Sequence, residues 1–355
     1  MSFLQEKLHP LHLPALPEER EALLRTLLEQ EYGVVPSIPC QVEGRVTSTQ
    51  ADFCAGKAPL QMVDITLTLP GGSFTFPVKY ARPAAPGKHP LFILLNFTHD
   101  VPDPYYPAEE ICDRGYAVLS VGYQDISRDA ADDYTEGLGK LLRSAAAQAG
   151  VPQEQLPGKI AIWAWTASRL LDWALTQPDA EAERTAIIGH SRLGKTALLC
   201  GALDERFACV ISNASGCSGA AITRGKPGEH ISDITDRFPF WFCENYRHYA
   251  DNEAALPFEQ HWLLAAIAPR LLCVSSALDD TWAGPSHEFL GCVAASPAWE
   301  ALGKPGFITP DRLPAPGEAL QEGSIGYHLR HGQHYLSRTD WNRFMDFLDG
   351  KGWRE

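Results

Sequence analysis

With 355 residues, 45% hydrophobic, 10% aromatic and 21% charged, the chain can bury a sizeable core and reads as a soluble globular protein, not a disordered one. Acidic residues outnumber basic ones 44 to 30, a net charge of -14, which excludes the broad cationic surface that nucleic acid or anionic lipid would need. The N-terminus lacks a basic stretch followed by an apolar run, and no later stretch stays apolar for the length of a membrane helix. The expected location is therefore cytoplasmic, or secreted if a signal was removed.

Residues 18–31, EEREALLRTLLEQE, set Leu23, Leu24, Leu27 and Leu28 on one helical face, and Gly33 and Pro36 end it. Residues 62–69 and 73–80 alternate around Pro70-Gly71-Gly72 and predict a β-hairpin. The continuous apolar runs at 91–95 and 117–121 predict buried parallel strands, with helical residues 108–114 between them. Residues 160–175 are helical in period, so Trp163 and Trp165 read as packing residues. They lead to a strand at 185–189 and a helix from 193. A strand at 207–212, an aromatic-rich insertion at 224–250, a helix at 260–267 and strands at 271–276 and 325–329 follow, then a helix at 340–348.

Strands alternating with helices over this length predict an α/β fold, a three-layer α/β/α sandwich with a mainly parallel central sheet. The chain reads as a single domain over 1–355, with a helix and hairpin at about 15–80 and a core at about 90–350. Nine scattered cysteines without a C-x-x-C pair read as mostly buried and reduced. A Cys217 to Cys292 bridge stays open for an oxidising compartment.

The stretch AIIGHSRLGKT at 186–196 joins an apolar strand to a helix through a tight turn. That shape suits a nucleophilic serine, because Ser191 would be held exposed at the end of the sheet while free helix N–H groups face a developing oxyanion. The spacing is G-x-S-x-x-G, and the residues between the glycines do not form a phosphate-binding loop. In α/β-hydrolases the acid and then the base follow the serine along the chain. The acid is expected in ALDDTWAGP after the strand at 271–276, as Asp280 with Asp279 its competitor. The base is expected in GYHLRHGQHY, where His334 lies in the loop past Gly332 while His328 alternates within the strand. A zinc site built from His328, His331 and His334 is the competing reading, but it lacks a helical scaffold and nearby thiolates.

These motifs, together with ISNASGCSGAA at 211–221, FPFWFC at 238–243 and QHWLLAAIAPR at 260–270, resemble the bacterial branch of the glucuronoyl esterases over residues 160–347. That carbohydrate esterase family cleaves esters of 4-O-methyl-glucuronic acid on xylan. The resemblance implies Ser191 as nucleophile, His334 as base and Arg192 as the oxyanion-stabilising cation. It also implies Lys195, Glu229 and Trp282 as sugar contacts, Gln260 and His261 as further rim candidates, and no metal or organic cofactor. The partner implied is a small-molecule or oligosaccharide ester.

Two departures stand out. Many members carry the catalytic glutamate where this chain has Ala214, which moves the acid to the late-strand loop and to Asp280. Fungal members carry a cysteine beside the nucleophile that staples it to the histidine loop, where this chain has His190. An acetyl esterase acting on small acetylated sugars is the nearest alternative, and a non-catalytic carbohydrate-binding protein is the alternative of a different class.

Overall fold

A computed structural model describes residues 1–354, with only the backbone of residues 132 and 133. Ten strands form one sheet: β1 (Gln41–Gln50), β2 (Leu60–Leu69), β3 (Gly72–Ala81), β4 (His89–Asn96), β5 (Ala117–Gly122), β6 (Ala180–His190), β7 (Cys209–Asn213), β8 (Leu271–Ala277), β9 (Ala319–Leu320) and β10 (Ile325–Arg330). Their order is β1-β2-β3-β5-β4-β6-β7-β8-β10-β9. The run from β5 to β10 is parallel, and the antiparallel hairpins of β1 to β3 and the short β9 extend its two edges.

Helices cover both faces: α1 (Phe3–Leu8), α2 (Arg20–Leu27), α3 (Ala108–Asp113), α4 (Tyr123–Ile126), α5 (Gly137–Gln148), α6 (Lys159–Ala174), α7 (Arg192–Leu203), α8 (Ile231–Arg237), α9 (His261–Ala265), α10 (Pro285–Ala301) and α11 (Arg338–Gly350). Strand alternation divides the core. Leu91, Ile93, Leu95, Ile187, Val210 and Val274 pack in a cluster with residues of α6, α7 and α10, while Phe92, Leu94, Ile188, Ile211 and Cys273 pack with α3 and α11. Each large side chain of β4 is fully buried and contributes about 1.5–3 kcal/mol.

The hairpin and the central strands match the expected positions; other boundaries move. The helix expected over 18–31 ends at Leu27 and continues as a π-helical turn over Leu28–Tyr32, which turns Glu31 into the interior. The helix expected over 260–267 is confined to His261–Ala265. Several elements escaped the sequence reading, among them α1, α5, β9, β1 and α10. The strand β1 is exposed along nearly its whole length and has no apolar alternation to reveal it. The helix α10 is apolar on most sides and carries Pro297 inside, so no polar face marks its period. All nine cysteines are free thiols, so Cys217 and Cys292 are buried but not bridged. Among the described residues, no helix is long and apolar enough to cross a membrane.

Candidate active site

The carboxyl ends of β6, β7, β8 and β10 open on the same side of the sheet, where a parallel α/β fold leaves a crevice. Ser191 follows β6 and precedes α7 with φ 58° and ψ -126°, a conformation that costs a non-glycine residue about 1–3 kcal/mol. The surrounding structure imposes it. The Ser191 N–H donates to the Asn213 carbonyl at 2.9 Å, and the Ser191 carbonyl accepts from the N–H groups of Gly194 at 2.8 Å and Lys195 at 3.1 Å. Gly189 allows the turn to close, since a Cβ there would lie 2.1 Å from the Leu193 carbonyl oxygen.

His334 lies in the loop between β10 and α11, and its Nδ1 pairs with Asp280 Oδ2 at 2.6 Å. Asp280 is buried and also accepts the Ala283 N–H, whereas Asp279 is exposed. Burial would raise the Asp280 carboxyl, but the hydrogen bond and charge of His334 outweigh it and hold the group below its ordinary value. With Nδ1 engaged by a carboxylate, Nε2 is the nitrogen left to exchange a proton.

A buried network shapes the loop. Asp340 accepts from His328 Nε2 and Arg330 Nε, each at 2.8 Å, and the Arg330 guanidinium also donates to the carbonyls of His331, Gln333 and Tyr335. His328 is therefore bound to structure, and the histidine triplet of the competing zinc reading does not converge among the described residues. Among the described residues, no group of three or more His, Cys, Asp or Glu is arranged to hold a metal ion.

His190, next to Ser191 in sequence, packs against the ring of His334 at a tilt of 42°. Its ring centroid is 4.4 Å from that of His334 and 5.5 Å from that of Tyr105. Burial pushes its pKa down to about 3, so the ring stays neutral. Asn213 gives its amide N–H to Ser275 Oγ, which leaves its carbonyl oxygen to accept the His190 Nδ1–H at 2.5 Å.

Ala214 presents a methyl group where a glutamate was absent from the sequence, and a different carboxyl lies close by. Glu288, from the unforeseen α10, accepts from Gly216 N–H at 3.0 Å and Ser276 Oγ at 2.6 Å. Burial pushes it up to about 7. It braces the loop after β7 against β8 and does not bond His334.

The implied sugar contacts divide into two groups. Lys195 is buried and donates to the carbonyls of Ser215 and Cys217, with Glu229 Oε2 at 3.5 Å. Trp282 is half exposed, and its indole N–H meets Glu229 Oε1 at 3.3 Å. Gly228, at φ 86°, lets the two loops touch, because a Cβ would lie 2.6 Å from the Thr281 and Trp282 carbonyls. Gln260 and His261 are not on this rim. Gln260 is buried with its amide on Glu31 at 3.1 Å, and buried His261 is pushed by that burial down to about 4. The QHWLLAAIAPR segment faces inward because α9 packs against α7, α10 and the N-terminal α2.

Arg192 extends over the rings of Trp241 at 4.5 Å and Phe238 at 5.0 Å, and Nη1 donates to Asp129. Asp129, Glu31 and Glu288 were all missed, because an isolated acidic residue carries no sequence signal of what it will pack against.

The family described as glucuronyl esterase, fungi, matches residues 70–303. The carbohydrate esterase MZ0003, from an unknown prokaryotic organism, is 42% identical over 199 residues, 56% of this chain and 46% of that protein. A 4-O-methyl-glucuronoyl methylesterase of Podospora anserina is 30% identical over 300 residues, 80% of this chain and 56% of its own length. The chain thus spans about half the length of these curated relatives. The structure of a glucuronoyl esterase from Solibacter usitatus superposes with a TM-score of 0.84 at 33% identity, covering 94% of this chain and 92% of that one. By the extent of these matches and the shared architecture, the chain belongs to the glucuronyl esterase family.

Proposed function

We propose that this chain hydrolyses esters of glucuronic acid, including the 4-O-methyl sugar of glucuronoxylan, through an acyl-enzyme on Ser191. The observation that carries the reading is the His334 Nδ1 to Asp280 Oδ2 pair at 2.6 Å, on the same side of the sheet as a serine held in a strained strand-to-helix turn.

Ser191 Oγ attacks the uronate ester carbonyl as its proton passes to His334 Nε2, and Asp280 stabilises the imidazolium that forms. The oxyanion meets the first N–H groups of α7 and the Arg192 guanidinium. Collapse of the tetrahedral adduct breaks the bond to the alcohol, which leaves with the proton from His334. Water, deprotonated by His334, then attacks the acyl-enzyme, releases the uronic acid and returns the proton to Ser191. Glu229 and Trp282 face the sugar ring, the first by hydrogen bonds and the second by apolar contact, and Lys195 behind them fixes Glu229.

The test is hydrolysis of methyl or benzyl glucuronate beside an aryl acetate, by the parent chain and Ser191→Ala. Glucuronate turnover that disappears in the variant is the expected result. Cleavage of the acetate alone would move the assignment to an acetyl esterase. Sugar binding without turnover of either would favour a non-catalytic carbohydrate-binding protein.

A further inference from the structure

An esterase that takes up a neutral ester and makes an acid creates a negative charge next to its own oxyanion-stabilising cation. Bidentate pairing of a guanidinium with a carboxylate is among the stronger contacts available to a protein, so a bare Arg192 would retain the product. Arg192 is not bare. Its Nη1 donates to Asp129 Oδ2, and Asp129 is itself held on both oxygens. Oδ1 accepts the Trp241 indole N–H at 2.7 Å, and Oδ2 accepts the Tyr123 hydroxyl at 3.0 Å. These donors come from the nucleophile helix, the aromatic insertion and α4, so the carboxylate is fixed where three segments meet. The Asp129 side chain is 8% exposed, and the Arg192 guanidinium that it pairs with lies over the Phe238 and Trp241 rings, which stack with centroids 3.9 Å apart. Water screens such a pair less than it would one at the open surface.

We propose that Asp129 is a positioning residue that masks the Arg192 charge, so that the site binds the neutral uronate ester and the anionic product with similar affinity. This rests on the reading of Ser191 and Arg192 given above. One carboxylate leaves most of the five guanidinium N–H donors for the reacting oxygen while cancelling the net charge that would hold the free acid. The neutral ester loses little by this masking, and the acid loses much of the Coulomb attraction.

Calorimetric binding of glucuronate and of its neutral amide, glucuronamide, tests the proposal alongside the KM for methyl glucuronate. In the parent chain the two ligands are expected to bind within about threefold of each other. Asp129→Asn, which keeps the shape and removes the charge, is expected to tighten glucuronate about tenfold while glucuronamide binding and KM stay within about twofold. A parent chain that prefers the acid by more than about tenfold overturns the proposal without any variant. So does an Asp129→Asn chain in which acid, amide and ester all weaken together, the mark of a purely structural role. Near-equal binding in the parent and a tightened acid in the variant, without ester turnover, would sink the esterase reading alone. Binding of neither ligand would sink both.

Discussion

Asp279 and Asp280 carry the same side chain and adjoin in sequence, yet Asp280 turns inward to His334 while Asp279 is exposed. Their substitutions should therefore differ widely. Asp280→Asn keeps the volume but offers an amide N–H where His334 needs an acceptor, and kcat on methyl glucuronate is expected to fall by about 10³–10⁴. Asp279→Asn is expected to stay within about twofold of the parent. Comparable losses in the two variants would remove Asp280 from its assigned role. The sequence could narrow the acid to this pair, because the loop follows a strand of the right order. It could not choose between neighbours, because one residue's difference in loop path sends one carboxylate to the histidine and the other to solvent.

At the scale of elements, the strand-to-helix turn was legible because every part of it is local: an apolar strand, a glycine, a serine and a helix start. Its tolerances are local too. Gly189→Ala places a Cβ against the Leu193 carbonyl oxygen, with 2.1 Å between them before relaxation. The turn must open, and a displacement near 1 Å of a nucleophile costs about a hundredfold in rate. Turnover near the parent value in a folded Gly189→Ala chain would show that Ser191 does not need this geometry. The helix α10 is the contrasting case. Its seventeen residues are apolar on most sides and interrupted by Pro297, so burial removed the amphipathic signal that exposes a helix in a sequence. With α10 unread, Glu288 had no place in the expected site.

For the molecule as a whole, buried ionisable groups set the response to pH. Burial pushes Glu31 from 4.5 up to about 8 and Glu288 up to about 7, so the folded chain holds protons that the unfolded chain releases. That contribution is complete below about pH 4.5 and is lost as pH rises through 7 to 8. Burial holds His190, His261 and His287 neutral, down to about 3, 4 and 4, so below their ordinary 6.5 the unfolded chain takes up protons and stability falls. Glu31→Gln keeps an acceptor for Gln260 and removes the titration. Its melting temperature relative to the parent is expected to climb between pH 5 and pH 9, at about 1–2 °C per kcal/mol for a chain of this size. A difference that stays flat across that range would mean Glu31 does not hold a proton in the fold.

The sequence by itself determined the alternation of strands and helices, the parallel character of the sheet, the strand-to-helix turn at Ser191 and the loops after late strands that carry Asp280 and His334. Each is written in short-range periodicity or in the position of a loop after a strand. Tertiary structure decided the pairings. His334 meets Asp280 54 residues away, Arg192 meets Asp129 63 residues away, and Gln260 meets Glu31 229 residues away. A polar side chain is buried or exposed, charged or neutral, according to what other segments bring against it, and no local pattern records that contact.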